Sequence, residues 1–172
     1  MPHPAPNGRP PLRVVVAVDR YMPESFGGGE QQARKLALAL IRQGSDATIL
    51  TPRRTPNTKL LEYEGALAVH RFNVFLHAGW KQPAGISFVL WSVQVFAWLI
   101  WNHRRYDVVH VVHAKPYALP VLLAAALLGK SSVIKPGTGG RRNDFAKFEG
   151  QPFGRFFGYL CVDLQTLIDV HT

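Results

Sequence analysis

The stretch that decides the fold is Arg13–Pro52, RVVVAVDRYMPESFGGGEQQARKLALALIRQGSDATILTP. Its first seven residues, Arg13 to Asp19, form a β-branched run of the kind carried by a strand buried on both faces. From Glu30 onward, Ala33, Leu36, Ala37, Leu40 and Ile41 fall on one face at helical spacing, and Gly44 supplies a stop. Asp46 to Pro52 predicts a second strand. Strand, helix and strand with short connections make a βαβ unit, the building block of a parallel sheet.

Outward from that unit the alternation continues. Ala66–Phe72 predicts a strand, Ile86–His103 a long helix, Asp107–His113 a strand, Ala118–Gly129 a helix and Ser131–Gly137 a strand. Gly154–Ile168 predicts one more helix, and Asp169–Thr172 the start of a strand that the 172 residues leave unfinished. Such alternation gives an α/β class with a doubly wound, Rossmann-like parallel sheet. Before it, residues 1–12 hold five prolines and no apolar core, which reads as a disordered leader and excludes a signal peptide.

Composition narrows the partners without choosing one. Twenty Lys and Arg against eleven Asp and Glu give a formal charge of +9. That balance points to an anionic partner, whether a phosphate-bearing ligand, an acidic membrane surface or nucleic acid. No interleaved basic and aromatic motif supports nucleic acid, so none is expected. The single cysteine, Cys161, excludes an internal disulfide framework and fits a reducing, cytoplasmic compartment. The longest apolar run, Ile86–Trp101, is sixteen residues and is interrupted by Ser87, Ser92 and Gln94. It falls short of the ~20 residues that a membrane-spanning helix needs.

Gly27, Gly28 and Gly29 stand at the junction of the first strand and helix, with Glu30 directly after them. In an open parallel sheet, ligands bind beyond the carboxyl ends of the strands. Glycines there let the backbone approach a ligand, and the free amides with the helix dipole attract phosphate. A dinucleotide fingerprint would need glycine at position 32, which is Gln32, and a phosphate P-loop would need Gly-Lys-Ser/Thr. Both are absent, and a flexible turn without a ligand is the alternative reading.

Arg13–Pro52 together with YDVVHVVHAKPYALPVLLAAALLGKSSVIKPGTGG, residues 106–140, resembles the N-terminal half of a family 4, GT-B fold glycosyltransferase. The resemblance covers residues 13–172. It implies an acceptor site on this domain, a nucleotide-sugar donor held mainly by a C-terminal domain that these residues do not include, and transfer to a glycan, lipid or small-molecule acceptor. It implies that the loop Gly27, Gly28, Gly29 and Glu30 faces the donor's diphosphate across the cleft. On this reading the 172 residues alone have little or no transferase activity. A non-catalytic binding module for an anionic ligand, membrane surface or partner protein is the alternative.

The residues offer candidates for the remaining roles. Side chains three apart on a strand point to opposite faces unless the strand has ended, so one of His110 and His113 enters the site. His113, nearer the loop, is expected to act in catalysis together with Asp144, which could accept a proton or orient a sugar hydroxyl. His110 is a possible acceptor contact, with a packed core histidine as its other reading. Lys115, Lys135, Arg141 and Arg142 are expected to hold an anionic acceptor or diphosphate by charge-assisted hydrogen bonds. Relatives carry a histidine where this sequence has Pro136 and Gly137, a departure from a simple histidine mechanism. No Asp-x-Asp and no His/Cys cluster at ligand spacing occurs, so no metal and no cofactor besides the donor substrate is expected.

The long apolar helix carries a last motif. Ser87, Trp91, Gln94, Trp98 and Trp101 fall on one stripe, which Arg105 extends if the helix persists. Indoles with Ser, Gln and Arg are what an interfacial helix offers to a membrane surface, and packing under a neighbouring loop is the alternative.

Overall fold

The computed structural model describes residues 10–75, 84–113 and 117–135. Among these, β1 (Arg13–Ala17), β2 (Asp46–Arg53), β3 (Leu61–Glu64), β4 (Leu67–Asn73), β5 (Val108–Val112) and β6 (Ser131–Lys135) make one sheet in the order β3-β4-β2-β1-β5-β6. Every neighbouring pair is parallel except β3 with β4. Helix α1 (Gly28–Arg42) covers one face, burying Ala33 and Ala37 against Val14, Val16, Val18 and Ile49. Helices α2 (Ala84–Trp101) and α3 (Ala118–Leu127) cover the other, where Val95, Leu99, Val121 and Leu122 meet Val15, Ala17, Leu50 and Val109. Successive valines of β1 thus serve opposite cores, as a strand covered on both faces requires.

The expected α/β, doubly wound sheet is present, and its helix stops are glycines. After α1, Gly44 adopts φ 83° and donates to the Ile41 carbonyl at 3.0 Å, while Ser45 donates to Leu40 at 3.0 Å. After α3, Gly129 at φ 61° and Lys130 repeat the arrangement with Ala126 and Ala125. Both are Schellman endings that satisfy the last helical carbonyls and turn the chain back toward the sheet.

Three features depart from the sequence expectation. Strand β3 is an antiparallel edge strand joined to β4 by the two-residue turn Gly65–Ala66, with Gly65 at φ 60° as such a turn demands. Helix α2 ends at Trp101, and His103–Arg105 form a separate 3-10 turn, so Arg105 does not extend the helix. The tryptophan stripe is not a surface: Trp91 is 3% exposed and edge-on to Tyr117, and Trp98 packs against the core, stacked on Tyr106. Gln94, a polar member of the stripe, donates to the Asn73 carbonyl at 2.7 Å and so satisfies the end of β4. Of the three indoles only Trp101, 83% exposed, is offered to solvent. Residues 1–9, the expected helix Gly154–Ile168 and the start of a strand at Asp169 lie outside the described residues.

Candidate active site

The strand order reverses at β1. From β1 the chain moves through α1 to β2 on one side, while β5 and then β6 lie on the other. Beyond the carboxyl ends of β1 and β5 the two halves diverge, and in a doubly wound sheet that crevice is where ligands bind. Three segments meet there: Asp19 just after β1, Gly27–Glu30 at the start of α1, and His113 just after β5.

Gly27 is the N-cap of α1, with extended backbone and no side chain to cap it. Gly28, Gly29 and Glu30 are therefore the first helical residues, whose N–H groups have no acceptor inside the helix. The Glu30 carboxylate folds back, accepting from Ser25 Oγ at 2.6 Å, and its Oε2 occupies the space a Cβ on Gly27 would take. Glu30 is thus engaged by Ser25 and makes no capping hydrogen bond to the helix, which leaves Gly27 and Gly28 exposed at the positive end of the dipole.

His113 lies against this turn. A Cβ on Gly29 would stand 2.6 Å from His113 Nε2 and 3.2 Å from Nδ1, so only glycine admits the imidazole at this position. Its backbone is in the left-handed region at φ 74°, the one non-glycine residue so placed among those described. That conformation costs about 1–3 kcal/mol and persists only where neighbours hold it. They do so on both sides: His113 N–H donates to the Lys135 carbonyl at 2.9 Å, and the Tyr117 hydroxyl donates to the Val112 carbonyl. His113 Nδ1 is shielded from solvent without a hydrogen bond and lies 3.8 Å from Asp19 Oδ1.

The loop between β1 and the glycines is anchored rather than free. Glu24 accepts from the Arg54 and Thr55 amides and from the Thr55 and Thr58 hydroxyls, at 2.8–3.1 Å. Burial pushes its pKa up, but the hydrogen bonds from Thr58, Arg54 and Thr55 outweigh it and hold the carboxyl below its ordinary value. Arg71, buried in β4, donates to the Met22 carbonyl at 2.6 Å and pairs with Glu62 at 2.7 Å. A site framed this way presents its amides without reorganising on binding.

The other expected residues fall apart from this cluster or outside the description. His110 sits in the middle of β5 opposite Val16, half-buried, and its pKa is pushed down by burial and then by Lys135. Its position is that of a packed sheet histidine. Lys135 is exposed at the end of β6 and is tied to His113 through its carbonyl. Lys115, Arg141, Arg142 and Asp144 lie outside the described residues. Asp19 was not among the expected residues; the signal was present, since it closes the β1 run at the ligand edge. Among the described residues no three His, Cys, Asp or Glu side chains cluster as metal ligands.

The family profile of the glycosyl transferase 4-like domain matches residues 27–157. No curated protein is significantly similar in sequence. Among proteins of solved structure, the chain aligns with sucrose-phosphate synthase from Thermosynechococcus elongatus at a TM-score of 0.57 and 13% identity. The alignment covers 91% of this chain and 40% of that one, so the chain spans well under half of the enzyme's length. At that identity the likeness speaks for the fold alone, a Rossmann-like α/β sheet.

Proposed function

The chain belongs to the glycosyl transferase 4-like family, and from that premise we propose that residues 13–172 form the acceptor-side half of a GT-B glycosyltransferase. The enzyme transfers a sugar from a nucleotide sugar to a glycan, lipid or small-molecule acceptor. The observation that carries this reading is the convergence of the uncapped Gly28–Gly29 turn, the His113 imidazole lodged against it and Asp19 at the switch point of the sheet.

In the proposed reaction an acceptor hydroxyl oxygen bonds to the anomeric carbon as its proton passes to His113 Nε2, the bond from that carbon to the phosphate oxygen breaks, and the nucleoside diphosphate leaves with the electron pair. Negative charge grows on the leaving diphosphate. The amides of Gly28 and Gly29 and the positive end of α1 meet that charge, and their fixed orientation is the main source of acceleration. His113 Nε2 is assigned to the acceptor side, in hydrogen-bond reach of the attacking hydroxyl, with Asp144 orienting a sugar hydroxyl. Lys115, Lys135, Arg141 and Arg142 supply positive charge for an anionic acceptor or the diphosphate. The single cysteine supports a cytoplasmic setting.

Turnover on this reading requires a donor-holding domain in addition to these 172 residues. The test is a nucleotide-release assay over a panel of nucleotide sugars, comparing the 172 residues alone with the longest natural polypeptide that carries them. Release by the longer chain, slowed by on the order of 10²-fold or more in His113→Asn but still measurable, is the expected result. Asn tolerates the left-handed backbone, so this variant removes the imidazole with little strain. Undiminished release after His113→Asn, or robust release by the 172 residues alone, would refute the respective parts. Anion binding without release by any form would favour the binding module.

A further inference from the structure

We propose that Tyr21, Thr51 and Arg71 enclose one buried water molecule that pins the loop carrying the glycine turn to the sheet. Thr51 and Arg71 are register partners on β2 and β4. Ile49 and Val69, two residues before each, belong to the core beneath α1, so strand alternation puts Thr51 and Arg71 on that same face. Tyr21, just beyond β1, packs into the same core. Their exposures are 4%, 0% and 4% for Tyr21, Thr51 and Arg71. Among the described residues Tyr21 Oη, Thr51 Oγ1 and Arg71 Nε each have no hydrogen-bond partner. A single such atom is unfavourable, and three on one face of one core call for a shared explanation. Arg71 Nη2 donates to the Met22 carbonyl at 2.6 Å, which brings the guanidinium to the residue next to Tyr21. Burial pushes the Tyr21 hydroxyl pKa up, and the charges of Arg34 and Arg71 act against that shift.

The chemistry of the three atoms identifies the guest. Arg71 Nη1 and Nη2 are engaged by the Lys59 and Met22 carbonyls, so Nε is the donor left over. An Nε–H only donates, whereas each hydroxyl donates or accepts. One water accepts from Arg71 Nε, donates to Thr51 Oγ1 and bonds to Tyr21 Oη, and about three partners is what a buried water ordinarily has. An anion suits the place less well. The guanidinium already pairs with Glu62 at 2.7 Å, and a second negative charge so deeply buried would lack a cation of its own. The consequence falls on the loop. The Glu24 and Ser25 amides both donate to the Tyr21 carbonyl, at 3.1 and 3.2 Å, so the turn that leads to Gly27 hangs on Tyr21. A water held by β2 and β4 fixes the Tyr21 hydroxyl while Arg71 holds the Met22 carbonyl. The inference stands independently of the transferase reading.

The test begins with a crystal structure of the whole 172-residue chain at a resolution that shows ordered water, beside a second crystal soaked in bromide. A peak within about 3.2 Å of Arg71 Nε and of both hydroxyls, with no anomalous signal after the soak, is expected. In urea unfolding, Thr51→Val and Tyr21→Phe are each expected to raise the unfolding constant about fivefold. The double variant should raise it by less than the product of the two, because both act through one water. Without a guest the sign reverses: Thr51→Val removes an unpartnered hydroxyl and leaves the chain as stable as the parent or more so. Hydrogen exchange at the Glu24 and Ser25 amides should quicken at least about fivefold in Thr51→Val, a substitution outside the loop. The proposal is overturned by the absence of a peak, by a protein atom or bromide in its place, by a Thr51→Val chain no less stable than the parent, or by unchanged exchange at Glu24 and Ser25.

Discussion

Gly29→Ala separates the site from the scaffold that holds it. The new Cβ would lie 2.6 Å from His113 Nε2 and nearer still to its Cε1, where ordinary contacts need about 3.5–4.0 Å. Because His113 N–H is held by the Lys135 carbonyl and its φ is 74°, the backbone cannot easily retreat and the ring must swing by roughly 1 Å or more. A helical Gly→Ala exchange otherwise stabilises by about 0.4–1 kcal/mol through the unfolded chain. Thermal unfolding should therefore change little, while misplacing the imidazole by that distance costs on the order of 10²-fold in rate, equivalent to about 2.7 kcal/mol of barrier. The assay pairs unfolding curves with nucleotide release. It adds the double variant with His113→Asn, which should be no slower than His113→Asn alone, because both substitutions act through one ring. Release by Gly29→Ala within about threefold of the parent, or losses that multiply in the double variant, would refute the reasoning.

Other consequences are as direct. Trp91→Ala should lower stability by about 3–5 kcal/mol in urea unfolding, whereas Trp101→Ala should stay within about 0.5 kcal/mol. Similar losses for both would contradict the division of the stripe into buried and exposed members. Glu24→Gln should cost about 1–2 kcal/mol by removing a charged acceptor of several hydrogen bonds. The parent's Glu24 contribution is present above the unfolded carboxyl value and is lost as pH falls through the depressed folded one, so the two proteins should converge in strong acid. His70 and His110 both titrate low in the folded chain, through burial and then through Arg105 and Lys135 respectively. The unfolded chain binds their protons first, so stability is intact above about pH 6.5 and declines as pH falls from there toward the folded values. His110→Phe should flatten that decline in urea midpoints measured across the range.

The βαβ unit was legible because independent local signals coincide in it: a β-branched run, a one-sided helix and a glycine stop. Strand β3 was not, since four residues that mix Leu61 and Tyr63 with Glu62 and Glu64 on an exposed edge carry little burial and read as a loop. Helix α2 misled for a different reason. When every side is apolar, periodicity no longer says which side is in, and the stripe was open to an interfacial reading although Gln94 satisfies β4 and Trp91 and Trp98 fill the core, leaving Trp101 alone of the three outward. At the site, the glycine turn and His113 followed from the ligand edge of a parallel sheet. Two facts escaped because they are tertiary: β1 and β5 must be neighbours before Asp19 can approach His113, and a left-handed histidine is not announced by residue type. That the Glu30 carboxylate folds back onto the Ser25 hydroxyl was likewise hidden, because the contact depends on the path of the loop before the helix.

The most direct test of the central claim is the crystal structure of the longest natural polypeptide carrying these residues with a nucleotide sugar bound. The account predicts diphosphate oxygens within about 3 Å of the Gly28 and Gly29 amide nitrogens, with His113 facing the anomeric carbon from the acceptor side. A nucleotide bound with no atom in contact with Gly27–Glu30 or His113 would contradict it.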